Sequence, residues 1–130
     1  MPDPALLECF DNPEPGRDYL IEHVAEEFTS LCPKTGHPDF GRVLLRYCPD
    51  RRCVELKSLK LYYQSFRNEG IFYEAVTNRI GSDLVERMAP RWLVLVTEWR
   101  GRGGIHSRIA FTEGDPPEWA VWRGADRAAD

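Results

Sequence analysis

The chain has 130 residues, a net charge of -4, 42% hydrophobic and 29% charged residues. That hydrophobic share excludes intrinsic disorder, and the negative balance excludes an extended nucleic-acid surface, which needs a strong basic excess. The length suits one domain with a small core, which oligomerisation would reinforce. The opening MPDPALLECF lacks the basic and apolar regions of a signal peptide. No apolar run approaches the ~20 residues that span a bilayer, so a cytoplasmic protein without membrane contact is expected. In that compartment Cys9, Cys32, Cys48 and Cys53 are expected as thiols. They contain no C-x-x-C pair, and Cys48 and Cys53 have no second pair to complete a zinc site, so no metal is expected.

Residues 1–17 are rich in Pro, Asp and Glu and read as a loose N-terminal arm. A domain over 18–113 and a C-terminal tail over 114–130 follow. Residues 19–31 show a weak period of two, with Ile21, His23, Ala25 and Glu27 on one side, and predict a strand. CPKTGHPDFG at 32–41 carries paired prolines and glycines and predicts a loop. RVLLRYCP at 42–49 is a second strand, PDRR a turn, and CVELK a short extended piece. From Ser58 the spacing of Leu59, Tyr62, Tyr63 and Phe66 is helical. Val76, Ile80, Leu84 and Met88 mark a second helix from about Ile71, bent off at Gly70 and stopped by Pro90. RWLVLVTEWR at 91–100 and IHSRIAF at 105–111 are strands joined by the GRGG turn. The order strand, strand, helix, helix, strand, strand predicts an α+β fold, an antiparallel sheet with both helices on one face.

Cys32 heads the 32–41 loop, with Lys34, His37 and Asp39 close behind. A nucleophilic thiol must ionise, which a nearby Lys or His⁺ favours, and Asp39 can then carry a proton. Taken alone, a buried core cysteine explains Cys32 better. Lys57 and Lys60 share a helix face and with Arg102 suit a nucleotide phosphate, although a solvated basic face explains them better on residue pattern alone. GRGG is no dinucleotide fingerprint, because it joins two strands. Glu74, beside Phe72 and Tyr73, suits a purine-like ring, against the plainer reading of a surface acid at a helix start. Trp92, Trp99, Trp119 and Trp122 read as core or interface.

Together FTSLCPKTGHPDFG at 28–41, ELKSLKLYYQSFRNEGIFYE at 55–74 and RGGI at 102–105 resemble the queuosine-pathway nitrile reductases, over roughly residues 26–108. Glu55, Leu56, Lys57, Ser58, Leu59, Lys60, Leu61 and Tyr62 match that family's signature, a string specific enough to outweigh the plainer readings. The resemblance implies a tunnelling fold: a four-stranded antiparallel sheet backed by two helices, assembled as a homo-oligomer of two stacked pentameric rings. It implies reduction of the nitrile of 7-cyano-7-deazaguanine to an aminomethyl group with two NADPH. Cys32 would form a thioimide and Asp39 would donate the proton. Val54, Glu55, Leu56, Phe72, Tyr73 and Glu74 would hold substrate, and Lys57, Lys60, Arg102 and Gly103 would hold NADPH. The Cys32 loop of one subunit would then meet the Glu74 helix of its neighbour. One departure stands out: the family reads Phe-His-Glu where this chain has Phe72, Tyr73 and Glu74, and a phenol with an ordinary pKa of ~10 shuttles protons poorly near neutrality. His37 and His106 are the alternatives for that step. An amidinotransferase using the same cysteine and nitrile is the rival activity, and a non-catalytic pterin or purine binder the rival class. The first needs no NADPH. Retention of Cys32, Asp39 and Glu74 argues against the second.

Overall fold

A computed structural model describes residues 2–121. Four antiparallel strands form the main sheet in the order β2-β3-β5-β6: β2 is Ile21–Leu31, β3 is Pro38–Cys48, β5 is Trp92–Arg102 and β6 is Ile105–Gly114. Helices α1, Leu56–Gln64, and α2, Tyr73–Met88, cover one face. The predicted stripes make the seal. Leu59, Tyr62 and Phe66 of the first stripe, with Val76, Ile80, Leu84 and Met88 of α2, pack on Phe28, Val43, Leu45, Leu93 and Leu95 in one buried cluster. Each side chain of this kind contributes ~1.5–3 kcal/mol on burial. The opposite face is covered at one end by a helical turn over 118–121. Its Ala120 packs on Leu44, Val94 and Val96, and its carbonyl accepts a bond from the buried Arg46. Trp99 is buried and Trp92 partly so, while Trp119 is exposed. Trp122 and the rest of the predicted tail from 122 to 130 lie outside the described residues.

The first 17 residues, expected to be loose, include a docked segment. β1, Cys9–Asp11, pairs with β4, Arg52–Val54. Leu7 is wholly buried in the core, and Arg87 donates 2.6 and 3.2 Å bonds to its carbonyl. Leu7, the three β1–β4 pairings and the bonds of Arg87 and Asn12 tie the segment down, and polar composition does not reveal them.

Element ends also move. β3 begins at Pro38, so the loop shrinks to 32–37 and Asp39 lies on a strand. A proline is tolerated there because the first residue of a strand need not donate. Helix α1 begins at Leu56, where Glu55 caps the free amides of Lys57 and Ser58 at 2.7 and 2.8 Å. Helix α2 begins only at Tyr73, because Ile71 is held extended: its amide donates to Leu31 O at 3.0 Å. It ends at Ala89, whose φ of 48° marks a left-handed cap ahead of Pro90.

Candidate active site

The loop between β2 and β3 is closed by its own backbone. Cys32 N–H donates to His37 O at 2.9 Å, Gly36 N–H donates to Cys32 O at 2.8 Å, and Gly36 takes a φ of 72° that glycine alone adopts cheaply. This fold-back turns donors towards Cys32 Sγ. The Thr35 hydroxyl has the largest effect, followed by the amides of Thr35 and Lys34. Opposed by partial desolvation and helped by Arg102, they lower the thiol from an ordinary 9.0 to about 7. The activation therefore comes from hydrogen bonds, not from the Lys34 ammonium or a charged His37 as the spacing suggested.

Asp39 is buried on the helix-facing side of β3, directly across from Ser30. The Ser30 hydroxyl is buried with no hydrogen-bond partner among the described residues. Arg102 forms an ion pair with Asp39 through Oδ1, and the Tyr73 hydroxyl donates to the same oxygen at 3.3 Å. Arg102 also helps hold the Cys32 thiol low, so its guanidinium acts on both thiol and carboxylate. Both donors use Oδ1. Burial, and then the charge of Asp39, raise the Tyr73 phenol above its usual range, so it remains a donor.

The start of α2 reaches this cluster within one chain. Leu31 and Gly70 form a parallel bridge, with Leu31 N–H donating to Glu69 O at 2.8 Å. Phe72, Tyr73 and Glu74 therefore stand beside the Cys32 loop of their own chain. The two segments thus already meet within one chain, where the resemblance implied a meeting of one subunit's loop with its neighbour's helix. Phe72 and Glu74 are exposed, whereas Tyr73 stacks on Trp99 with centroids 4.1 Å apart and planes 8° from parallel. Trp99 lies across from Gly41 on β3. A Cβ at Gly41 would come within 2.8 Å of the indole and 2.7 Å of Glu98 O, so only glycine leaves room.

The remaining predicted residues gather elsewhere. Val54 is buried, and its amide donates to the Tyr47 hydroxyl at 3.1 Å. The Glu55 carboxylate is engaged in capping α1, and those amide bonds hold its pKa low. Lys57 and Lys60 are exposed. Lys60 lines a groove with Leu56, Tyr63, Arg67, His23 and Val24, and neither Cys32 nor Asp39 belongs to it. Gly103 is at the tip of the β5–β6 hairpin, where it and Gly104 take φ of 57° and 80°. Successive positive φ values suit a two-residue hairpin turn. Among the described residues no cluster of three or more His, Cys, Asp or Glu is arranged to hold a metal, and no helix is long and apolar enough to cross a membrane. Sequence reasoning missed Thr35, Ser30 and Trp99, and it did not place Arg102 against Cys32. Thr35 and Ser30 left a trace only as members of the FTSLCPKTGHPDFG stretch, and Trp99 only as a core or interface residue.

Fold and site define an α+β protein whose loop-borne cysteine has a lowered pKa and shares a neighbouring arginine with a buried carboxylate, an arrangement suited to covalent attack on a small electrophile. Comparisons narrow the class. Residues 38–118 match a family described as QueF-like protein. The apo archaeosine synthase QueF-Like shares the fold, with a TM-score of 0.70 over 75% of this chain and 96% of that one at 17% identity. NADPH-dependent 7-cyano-7-deazaguanine reductases from Pelodictyon phaeoclathratiforme and Rhodopirellula baltica are 61% and 57% identical. These alignments cover 81% and 84% of this chain and 90% of each relative. A third such reductase, from an Anaeromyxobacter species, is 56% identical over 85% of this chain and 91% of its own. The chain belongs to the family of NADPH-dependent 7-cyano-7-deazaguanine reductases.

Proposed function

We propose that this chain reduces the nitrile of 7-cyano-7-deazaguanine to 7-aminomethyl-7-deazaguanine, consuming two NADPH, as a cytoplasmic step of tRNA queuosine synthesis. The observation that carries the reading is the pairing of a Cys32 thiol lowered to about 7 with the buried Asp39, in a chain 61% identical to a named reductase. The Cys32 thiol gives its proton to Asp39 Oδ2, and the sulfur bonds to the nitrile carbon. One C–N π pair moves onto nitrogen, which takes the proton back from Asp39, leaving a neutral thioimide. Dividing a four-electron reduction at this covalent stage gives each hydride a C=N to attack. After the first hydride the thiohemiaminal loses Cys32 as thiolate, and the resulting imine accepts the second. Each reduction also takes up one proton from solvent, which Asp39, reprotonated after each transfer, can relay. Tyr73 and Arg102 hold Asp39 Oδ1 throughout. Phe72 and Glu74 are exposed on the segment whose backbone bridges to Leu31, next to Cys32 in sequence, and an aromatic face and a carboxylate suit the ring and the adjacent N–H donors of a deazaguanine.

NADPH, when bound, supplies the hydride. Exposed cations fit its phosphates: Lys57 and Lys60 stand one turn apart on α1, and Lys60 shares its groove with Arg67. Arg102 and Gly103 complete the expected set from the hairpin, although Arg102 is already engaged with Asp39. Val54, Glu55 and Leu56 belong to the α1 cluster, which is separate from the thiol in one chain. A homo-oligomer of two stacked pentameric rings would join the two clusters, and the single chain leaves β2 and β6 as sheet edges for such pairing.

The test mixes enzyme and nitrile without NADPH. Intact mass should rise by one substrate with a thioimide absorbance band, Cys32→Ala should lose both, and added NADPH should be consumed at two per nitrile. An adduct on Cys48 or Cys53 overturns the assignment. An adduct discharged by ammonia but untouched by NADPH points to the amidinotransferase.

A further inference from the structure

We propose that Trp99, Thr97 and Thr77 act as positioning residues that fix Tyr73, and through it the Asp39 carboxyl. The proposal rests on the reading of Asp39 as the proton carrier. The three residues form a directed hydrogen-bond chain beneath the site. The Trp99 Nε1–H can only donate, and it does so to Thr97 Oγ1 at 2.9 Å. The Tyr73 carbonyl can only accept, and Thr77 Oγ1 donates to it at 2.7 Å. The two threonine oxygens are 2.7 Å apart. Each hydroxyl has one hydrogen, and that of Thr77 is spent on Tyr73, so Thr97 must be the donor between them. The direction is thereby fixed from indole to α2 backbone.

A threonine bonding the carbonyl four residues back is common in helices and signifies little. What is unusual is its continuation across to β5. Thr77 and Thr97 are wholly buried and Trp99 is 4% exposed, so a valine at either threonine would suit the packing as well. The polar chain instead returns to where it began, because the Trp99 indole at its head stacks on the Tyr73 ring. Tyr73 is thus held by its carbonyl at one end of the circuit and by its ring at the other. Gly41 supplies the space in which the indole lies. The tyrosine hydroxyl held in this way donates to Asp39 Oδ1, and the carboxyl would then present Oδ2 to the reaction. A tyrosine donor locked in this way needs no titration of its own.

The experiment is a double-mutant cycle on thioimide formation, read by stopped-flow absorbance without NADPH. Thr97→Val keeps the volume and breaks the chain at its centre. It should slow thioimide formation by roughly tenfold, since small misplacements of a reacting group carry penalties of this order or more. The nitrile Kd should stay within about twofold of the wild type, because no group that reads the ring is touched. Thr97→Ser, which restores the hydroxyl, should recover the rate. In a Tyr73→Phe background Thr97→Val should add nothing, because the link it acts through is already cut. Equal slowing in both backgrounds, or a wild-type rate in Thr97→Val, overturns the proposal. If Thr97→Val does not fold, Trp99→Phe keeps a stacked ring, removes the indole N–H and enters the same cycle. A wild-type enzyme that forms no thioimide defeats the reading of Cys32 and Asp39 itself, an outcome distinct from failure of the cycle.

Discussion

Replacing Thr35 by valine removes one hydroxyl from the Cys32 loop and keeps the β-branched shape. That hydroxyl is the foremost of the donors that bring the thiol from 9.0 to about 7. At pH 7 a thiol at about 7 is roughly half thiolate, whereas one at 9.0 is ~1% thiolate. The amides of Lys34 and Thr35 and the Arg102 contact remain in the variant. The expected change is therefore partial, an upward move of about one pH unit in the midpoint of ionisation. The sign is fixed: the lost donor stabilised the thiolate, so the variant needs a higher pH to ionise. The assay is alkylation by iodoacetamide as a function of pH, with the Cys32 peptide followed by mass spectrometry. Following the peptide separates Cys32 from Cys48 and Cys53, which are buried, and from Cys9, whose pKa is raised chiefly by burial. Below pH 7 the variant should react roughly tenfold more slowly. Well above pH 9 it should match or exceed the wild type, since a more basic thiolate is intrinsically more nucleophilic. The two curves should therefore cross. An unchanged midpoint would refute the argument that the loop's hydroxyl, not a nearby charge, activates the thiol.

Gly41→Ala places a methyl 2.7 Å from Glu98 O and 2.8 Å from the Trp99 ring. It should cost about 1–3 kcal/mol in urea unfolding by overpacking, and it should slow thioimide formation by displacing the indole under Tyr73. Leu7→Ala empties a wholly buried position and should cost about 2–5 kcal/mol. A loss below ~0.5 kcal/mol, the range of ordinary surface changes, would show the N-terminal segment to be as loose as its composition suggests.

The elements were legible where periodicity is strong. Leu59, Tyr62 and Phe66, and then Val76, Ile80, Leu84 and Met88, gave both helices and their buried faces, because side-chain spacing within a helix is a local property. Boundaries set by tertiary bonds were not legible. Ile71 fits a helix by spacing, yet its amide is taken by Leu31, forty residues away in sequence. Cys32 and Asp39 were legible through a resemblance, but the source of the thiol's acidity was not. Lys34 and His37 drew attention as charges, whereas the loop closes so that backbone amides and Thr35 do the work. Trp99 was read as core or interface, which describes its burial and misses its stack. Its role depends on Gly41 lying across from it, a register between strands that no local pattern records.

Two irregularities in the sheet decide which side chains share the Asp39 face. In β2 the helix-facing residues are first Ile21, His23 and Ala25, then Phe28 and Ser30. The parity changes at a bulge between Ala25 and Phe28, where the pairing with β3 shifts by one residue. Without it Ser30 would face away from the helices, and the weak period of two that carried through Glu27 in the sequence is broken here. In β5 the inward residues are Leu93, Leu95, Thr97 and Trp99. Strict alternation would next turn Gly101 and Gly103 inward and send Arg102 to the far face. A second bulge between Trp99 and Arg102 shifts the register with β6 by one and brings Arg102 to the same side as Trp99. One strand therefore presents both the indole that stacks on Tyr73 and the guanidinium that pairs with Asp39. Side chains only three apart in a regular strand face opposite ways. The extra residue is what lets a single strand end supply two of the groups that set this carboxyl in place.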